Sequence, residues 1–479
     1  MQVLRGADYN NKIFKQLEDL QNRMEKQEKD FRAERKELKA EIVALKTENK
    51  ALHSEIDRLN KIINNDSNNS SNPPSTDIKP NKKIVNNREK SGKKPGGQKG
   101  HKPYILCKKD IEEKISNGEI KSRIIHHGKP SKKYKSKYII DIEVRTVAIE
   151  HRFYEDEKGN ISIPQEFVSD VQYGSELKTF CTTLNIEGCI PVKKLTRIIS
   201  DLTDKKITLS TGTIINFVHQ CSTRSQETIE KIKERILSSA RMNTDATVSR
   251  CESQNQSVRN YSTTEDTLLV GTETKSKEAL EETNILNRYT GDLIHDHETV
   301  IYNYGKRHAE CNVHILRYLK GNTENTKHEW SGELTSFLCM LNNLRKEMIL
   351  NEKSSFSSQE IEQYSNRYDE ILEKGFKENK ELDSKYLKDE EKKLLNRLEK
   401  YKANHLLFMN DFNIPFDNNL SERELRHVKS KLKVAGCFRS SEGMKNYLDI
   451  KSIIITCGKR LINYHEVIKK IYSNNPIEI

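Results

Sequence analysis

The fold is decided by residues 240–296, which begin with the sequence ARMNTDATV at positions 240–248. Apolar and β-branched residues predict a strand there, and residues 257–263 and 267–272 have the same character. A helix is expected at residues 275–286, followed by a strand at residues 291–296. Three successive strands, a helix and a further strand predict an α/β fold with a mixed sheet of ribonuclease H type.

Two aspartates occupy informative places in this predicted sheet. Asp245 lies on the first strand and Asp296 at the end of the last one, positions that can be adjacent in a mixed sheet. A third carboxylate would have to come from a distant helix, and Glu422 is the candidate. Three carboxylates can hold two Mg²⁺ ions about 3.5–4 Å apart, one activating a nucleophile and one stabilising the leaving oxygen.

The helix that carries Glu422 begins with NNLSERELR at residues 418–426 and should run to about Lys433. Asn419 and Glu422 have the spacing of a capping box, which would give Glu422 a purely structural role. On a helical period, however, Glu422 shares a face with Arg426, Lys429 and Lys433. A carboxylate within a stripe of cations suits a metal-dependent phosphodiester enzyme.

The segment between Asp296 and Glu422 is too long to be a loop. Its apolar residues recur with a helical period, which predicts a helical insertion at residues 321–410. Residues 239–320 and 411–472 would then form the catalytic core. Trp330, the only tryptophan, either packs inside the insertion or stacks on an unpaired base.

A heptad repeat extends through residues 11–64. Large apolar residues occupy the d positions, and from Leu38 onward β-branched residues occupy most a positions, which favours a parallel two-stranded coiled coil. Asn49 at an a position would pair with its counterpart and set the register. The alternative is a single solvated helix, but the sustained repeat favours a homodimer joined through residues 38–63.

Residues 65–105 lose this periodicity and become rich in Asn, Ser and Pro, then in Lys and Gly. Such a segment cannot bury a core and is predicted to be a disordered basic arm. Sequence-independent phosphate contacts are expected from Lys82, Lys83, Arg88, Lys90, Lys93, Lys94 and Lys99. A solubilising linker accounts for the same composition.

Two small regions follow the arm and are predicted to form an α+β DNA-binding unit. Alternating residues at 138–144 and 147–153 and a turn at 155–160 predict a β-meander within residues 106–172. Residues 173–238 are predicted to be helical, with Pro191 opening one helix and Ser210 capping the next. This helix pair is either a DNA-reading helix-turn-helix or ordinary helical packing.

The composition points to a polyanionic partner, because 83 Lys and Arg residues against 71 Asp and Glu give a net charge of +12. No apolar run approaches the about 18 residues of a membrane span, and the polar N-terminus does not resemble a signal peptide. Nine cysteines without a CxxC pair indicate reduced thiols. We therefore expect a cytoplasmic protein without membrane partners.

Six motifs, in order along the chain, resemble the insertion-sequence-66 family of bacterial transposases, which carry an Asp-Asp-Glu catalytic triad. They are REKSGKKPGGQ at 88–98, TDAT at 244–247, HDH at 295–297, HAECNVHILR at 308–317, NNLSER at 418–423 and GCFRS at 436–440. The resemblance implies a ribonuclease H-like catalytic core with a helical insertion. It also implies that Asp245, Asp296 and Glu422 are the catalytic residues and hold two Mg²⁺ ions, for which Mn²⁺ can substitute.

The same resemblance implies a reaction in which water cuts DNA at the end of a mobile element and the freed 3′-hydroxyl attacks target DNA. Phosphate contacts near the cut are expected from Arg423, Arg426, Lys429, Lys431, Lys433 and Arg439. Expected partners are the element ends, the target DNA and accessory proteins encoded by the same element. The alternative function is a catalytically silent, dimeric DNA-binding protein derived from a transposase.

Two departures from the family pattern bear on this expectation. Ala246 stands where the family usually has Glu, so we expect weaker support of Asp245 rather than lost chemistry. The family also carries a cysteine-paired zinc module after the basic arm, but only Cys107 lies between residues 100 and 170, and no structural zinc is expected there. His308, Cys311 and His314 are candidates for another metal site, although packing explains them as well.

Overall fold

The structure, a computed structural model of the chain, describes residues 3–66, 69, 100, 106–127, 129, 132–475, 477 and 479. The helices before the sheet are α1 (Val3–Asn64), α2 (Lys108–Ser116), α3 (Ser175–Ile186), α4 (Val192–Leu202), α5 (Thr211–Arg224) and α6 (Gln226–Leu237). The predicted starts of α4 and α5 are confirmed: α4 follows Pro191, and the Ser210 hydroxyl accepts the Thr213 N–H at 3.0 Å.

A mixed sheet follows, as the sequence predicted, but it has five strands instead of four. Its strands are β1 (Arg241–Cys251), β2 (Gln254–Ser262), β3 (Thr267–Thr272), β4 (Asp292–His295) and β5 (His308–Glu310), in the order β3-β2-β1-β4-β5. The first three strands pair antiparallel, whereas β4 and β5 are parallel to β1. The helix α7 (Lys277–Glu282) connects β3 to β4. The strand β5 has only three residues and was not predicted.

The helices after the sheet are α8 (Asn312–Thr326), α9 (Glu329–Leu350), α10 (Ser358–Glu381), α11 (Lys385–Lys400), α12 (Lys402–His405), α13 (Asn419–Ala435), α14 (Ser441–Lys459) and α15 (Tyr464–Tyr472). One hydrophobic core joins the sheet to α3–α6 and α13–α15. A second core extends from Ile294 on β4 and Ala309 on β5 through α8–α11. Trp330 is fully buried there, so it packs inside the insertion and is not exposed to stack on an unpaired base.

The helix α14 covers the free edge of the sheet and is buried along most of its length. Its hydroxyl groups accept backbone N–H groups of β3: Leu269 donates to Ser452 at 2.9 Å, and Thr267 donates to Thr456 at 3.1 Å. An open edge strand would expose such donors to pairing with another chain. Because α14 occupies these donors on the outer edge of β3, no further strand of the described chain pairs there and the sheet ends at β3.

The predicted β-meander is wrong in the described part of residues 106–172. These residues contain α2 and one isolated antiparallel bridge, between Glu155 and Ile161, and no strand of the kind expected. Most apolar residues of the alternating pattern are exposed, with Ile142 at 86% and Ile149 at 76%. Alternation alone does not form a sheet, because a strand needs a partner for its backbone groups and a surface for its apolar face.

The helix α5 packs into the first core through Ile214, Phe217 and Val218. Its exposed face carries no Lys or Arg before Arg224 at its end. Ordinary packing therefore accounts for the pair α4–α5, and reading of DNA by α5 remains a hypothesis.

The helix α1 is continuous, and its heptad residues face solvent in the single chain, with Leu45 56% exposed. Its last turns pack on α11, where Lys61 pairs with Glu390 at 2.6 Å and the Ser54 hydroxyl accepts the Tyr386 N–H at 3.2 Å. The coiled-coil dimer stays a prediction, and the cations predicted in the basic arm lie outside the described residues. None of the described helices combines the length and apolar character of a membrane crossing.

Candidate active site

Asp245 lies near the middle of β1, where its neighbours hold it in place. Its backbone N–H donates to the side chain of Asn260 on β2 at 3.0 Å, and its carboxylate accepts the Ala246 N–H at 2.7 Å. Burial, followed by the negative charge of Asp296, raises the pKa of Asp245 to about 6. The pKa of Asp245 therefore responds to a second carboxylate close by.

Asp296 directly follows β4 and lies beside Asp245 because of the strand register. The parallel pairing of β1 and β4 sets Asn243 opposite Ile294. Two residues further along both strands, the same register places Asp245 next to Asp296. The two aspartates that the sequence placed on separate strands are thus brought together at the end of β4.

Glu422 reaches this place from the first turn of α13, and Asn418 positions that turn. The Asn418 side chain is fully buried, donates to the Thr244 carbonyl at 3.0 Å and accepts from Asn243 at 2.9 Å. These bonds tie the start of α13 to β1 directly beside Asp245. A local cap does not have this effect, because it satisfies only the helix itself.

The predicted capping box of Asn419 and Glu422 is wrong. The N-cap residue of α13 is Asn418, and it makes no side-chain capping bond because its amide is bonded to β1. The Asn419 N–H donates instead to the Asp417 carboxylate at 3.0 Å. The Glu422 side chain therefore does not cap the helix.

His314 on α8 lies between Asp296 and Glu422. Its Nδ1 atom is 3.1 Å from Asp296 Oδ1, and its Nε2 atom is 3.9 Å from Glu422 Oε1. Burial would lower the pKa of His314, but contacts with Asp296 and Cys311 outweigh burial and raise it to about 11. Arg317, one turn further along α8, approaches Glu422 Oε1 at 3.6 Å. Two cations therefore flank the carboxylates.

Several polar atoms in this cluster are buried without an aligned hydrogen-bond partner. They are Asp296 Oδ1, His314 Nδ1 and Glu422 Oε1. The charges of Asp296 and His314 attract each other at 3.1 Å, yet their geometry is not that of a hydrogen bond. Such atoms are uncommon in protein interiors and are suited to bind a ligand.

The triplet of His308, Cys311 and His314 does not come together as a metal site. His308 lies apart, with its Nδ1 atom 3.2 Å from His295 Nε2. The ligand atoms of Asp296, Cys311 and His314 instead all lie within 4.8 Å of one another. Sequence spacing drew attention to two of these three residues, but Asp296 joins them only through the fold.

Ala246, where the sequence departs from the family pattern, follows Asp245 directly on β1. Successive residues of a strand face opposite sides of the sheet, so residue 246 does not share the face of Asp245. The cross-strand partner of Ala246 is Arg259, which is buried and donates to both oxygens of Glu298 at 2.6 and 2.8 Å. Glu298 thus supplies the anion that Arg259 needs.

The cations predicted to contact phosphate divide into two groups. Arg423, Arg426, Lys429, Lys433 and Arg439 are exposed at the surface. Lys431 is instead turned inward: its amino group donates to the Asn185 carbonyl at 3.3 Å and lies 5.5 Å from the centre of the Tyr447 ring. Burial lowers the pKa of Lys431. Lys431 is therefore not positioned to contact a phosphate.

A mixed sheet that brings two aspartates together, with a glutamate from a helix that also carries exposed cations, is an arrangement expected of an enzyme that acts on nucleic acid. A family model described as the Transposase IS66 family matches residues 171–446, more than half of the chain, and the chain belongs to this family. The resemblance found in the sequence is confirmed, and membership supports a transposase function. Residues 24–104 match a family of unknown function (DUF6444). No curated protein matches the chain.

Proposed function

We propose that this protein is a DNA transposase that cuts the ends of its mobile element and joins them to target DNA. In this proposal its sheet, β1–β5 with α13, forms a ribonuclease H-like core, and α8–α12 extend it as the helical insertion. The observation that carries the proposal is the convergence of Asp245, Asp296 and Glu422, which are 51 and 126 residues apart in sequence. Two of the three keep a buried oxygen without an aligned donor.

The donor set fits divalent cations of the Mg²⁺ or Mn²⁺ type. Asp245 and Asp296 lie close enough for the charge of Asp296 to raise the pKa of Asp245. A bound cation would offset this repulsion between the two carboxylates. Glu422 would complete the set from α13. When bound, such cations activate the attacking water or 3′-hydroxyl and stabilise the leaving oxygen.

The residues of the chain itself would bind and orient the DNA. Arg423, Arg426 and Lys429 on α13 would contact phosphates on either side of the scissile bond. Arg317 and His314 would limit the repulsion between the carboxylates and the phosphate, since both lie next to Glu422. Asn418 would keep Glu422 at a constant distance from Asp245, because it binds the β1 backbone.

The N-terminal region would bring two such units together. In the proposal, residues 11–64 pair as a parallel coiled coil, and the arm at residues 65–105 contacts the DNA backbone near the element end. A dimer would let two catalytic units act on the two ends of one element. Accessory proteins of the same element would be further partners.

The test is cleavage of a labelled duplex that carries the DNA flanking the gene of this protein, in the presence of Mg²⁺. The wild-type chain should cut it, and Glu422→Gln should reduce the rate by at least about 1,000-fold, because one metal ligand is lost. Asp417→Asn is the matched control: it makes the same change five residues earlier, and its oxygen still accepts the Asn419 N–H.

Near-normal cleavage by Glu422→Gln would remove Glu422 from the site. Tight DNA binding by the wild-type chain without any cleavage, in Mg²⁺ or Mn²⁺, would instead favour the catalytically silent DNA-binding dimer.

A further inference from the structure

We propose that Asp296, Cys311 and His314 form a binding site for one thiophilic divalent cation of the Zn²⁺ type. The site adjoins the carboxylate cluster and shares Asp296 with it. It goes beyond the proposed transposase reaction, because binding of this cation requires neither DNA nor catalysis.

The distances between the three side chains suit a single ion. Their ligand atoms lie within 4.8 Å of one another, and His314 Nδ1 is already 3.1 Å from Asp296 Oδ1. Tetrahedral zinc with nitrogen, sulfur and oxygen ligands separates these atoms by about 3.3–3.6 Å. Small side-chain rotations are enough to close the remaining difference.

The chemistry of the ligands selects the kind of cation. Thiolate and imidazole are preferred by Zn²⁺ and Co²⁺, whereas Mg²⁺ prefers oxygen ligands and water. Asp245 and Glu422 offer only carboxylates, so the two ligand sets differ in preference although they meet at Asp296. The mixed set is therefore distinct from the set proposed for catalysis.

The surroundings of Cys311 support a metal-binding sulfur. Cys311 is 1% exposed and is the N-cap residue of α8, where the helix dipole favours a negative charge. The Asn418 N–H donates to its Sγ atom at 3.2 Å. A backbone donor of this kind is typical of the outer shell that holds a ligand in orientation.

A further observation is that two buried polar atoms of the site have no aligned hydrogen-bond partner in the described chain. Asp296 Oδ1 and His314 Nδ1 both lack an aligned hydrogen-bond partner. Both atoms belong to the proposed ligand set. A cation would satisfy them together, which explains why the fold tolerates them side by side.

An ion at this site would connect three elements: the end of β4, the start of α8 and, through Asn418, the start of α13. It would also withdraw Asp296 from the carboxylate cluster. Zinc would thus compete with Mg²⁺ for Asp296.

The experiment uses the full chain, first freed of metal with a chelator and then titrated with Co²⁺. A cobalt–thiolate bond produces a charge-transfer absorption in the near ultraviolet, which carboxylate ligands do not produce. We expect one equivalent of Co²⁺ per chain with this band, displacement of the Co²⁺ by Zn²⁺, and no displacement by a large excess of Mg²⁺.

Cys311→Ser should abolish the charge-transfer band, whereas Cys107→Ser, at an exposed cysteine outside the site, should leave it unchanged. His314→Gln should keep the sulfur but weaken binding by at least about 100-fold, since loss of a mere outer-shell partner already costs about 10–100-fold. This second variant keeps the test decisive if Cys311→Ser does not fold. A wild-type chain without the band, or a band that survives in Cys311→Ser, would overturn the proposal.

Discussion

Two groups of carboxylates in this protein differ in how well they are satisfied. On the side of the helical insertion, Glu310 is 2% exposed and accepts a hydrogen bond from the Tyr302 hydroxyl and another from Arg397 at 2.8 Å. His297 Nδ1 lies 2.8 Å from the same carboxylate. Burial alone would raise the pKa of Glu310, but the hydrogen bond with His297 and the nearby His405 outweigh it and hold the pKa far below its usual range.

Glu391 in the insertion is satisfied in the same way. It is 1% exposed and accepts the Trp330 Nε1–H at 2.7 Å and the Asn322 amide at 2.8 Å. The Asn379 amide donates to its second oxygen at 3.0 Å. Each of these donors comes from a different helix, so the carboxylate joins α8, α9 and α10 to α11.

The carboxylates of the candidate active site show the opposite pattern. Asp296 and Glu422 keep buried oxygens without aligned donors, and the pKa of Asp245 is raised rather than lowered. A carboxylate with its partners in place is costly to neutralise, because removing its charge leaves buried partners unpaired. A cluster with unpaired buried oxygens is available to a ligand. The two groups also differ in burial, since the side chains of Asp296 and Glu422 are 28% and 21% exposed, whereas Glu310 and Glu391 are almost fully buried.

The largest effect is expected for Asp296→Asn. Cleavage of the element end should fall by at least about 1,000-fold, because a metal ligand is lost. The free energy of unfolding should fall by less than in Glu310→Gln, because the lost charge pair with His314 is partly offset by the lost repulsion with Asp245. End cleavage and urea unfolding measure the two quantities. A strong destabilisation would show that Asp296 is a structural acid like Glu310.

Glu310→Gln should have the reverse profile. It leaves the buried Arg397 without its anion, and the free energy of unfolding should fall by about 3–5 kcal/mol, the usual cost of breaking a buried pair. Urea unfolding measures this loss. Glu399→Gln, at an exposed position of α11, is the control and should change stability by less than about 0.5 kcal/mol. Equal stability of both variants would contradict a structural role of Glu310.

Glu391→Gln should destabilise the insertion by about 1–3 kcal/mol, because buried donors lose a charged acceptor. Trp330 is the only tryptophan of the chain, so its fluorescence reports directly on this site. We expect a changed emission spectrum of the folded variant and an earlier unfolding transition. An unchanged spectrum and transition would mean that the bond from Trp330 to Glu391 contributes nothing.

The smallest effect is expected for the cations on α13, which also differ in whether they already have a partner within the chain. Arg426→Ala should reduce the slope of log K against log salt for DNA binding by about 0.9, the value for one lost phosphate contact. Lys431→Ala should leave that slope unchanged, because its amino group is engaged with the Asn185 carbonyl. Binding titrations at several salt concentrations measure both slopes. A reduced slope for Lys431→Ala would show that this lysine turns outward to meet DNA.

Local sequence patterns predicted much of the fold. The helix α4 begins after Pro191 as expected, and the third strand has the predicted bounds, 267–272. The reason is that hydrophobic periodicity and capping act over a few residues. The same patterns placed Asp245 and Asp296 on strands and Glu422 at the start of a helix.

Local sequence patterns did not predict the structure where a partner distant in sequence determines whether a strand forms or where a side chain lies. The alternating residues at 138–144 pair with no strand of the described chain, and their apolar side chains are exposed. The short strand β5 exists because β4 offers it backbone partners. Lys431 follows the period of its helix, but the carbonyl that it meets belongs to α3.

The sequence by itself determined which residues are acidic, basic or apolar, and on which kind of element each one lies. Only the tertiary structure decided that Asp245 and Asp296 are neighbours, that Asn418 binds β1 instead of capping α13, and that His314 stands between two acids. Each of these facts depends on strand register or on contacts between different elements of the fold. Such contacts form because a packed interior must pair its polar groups, and no short stretch of sequence contains both partners.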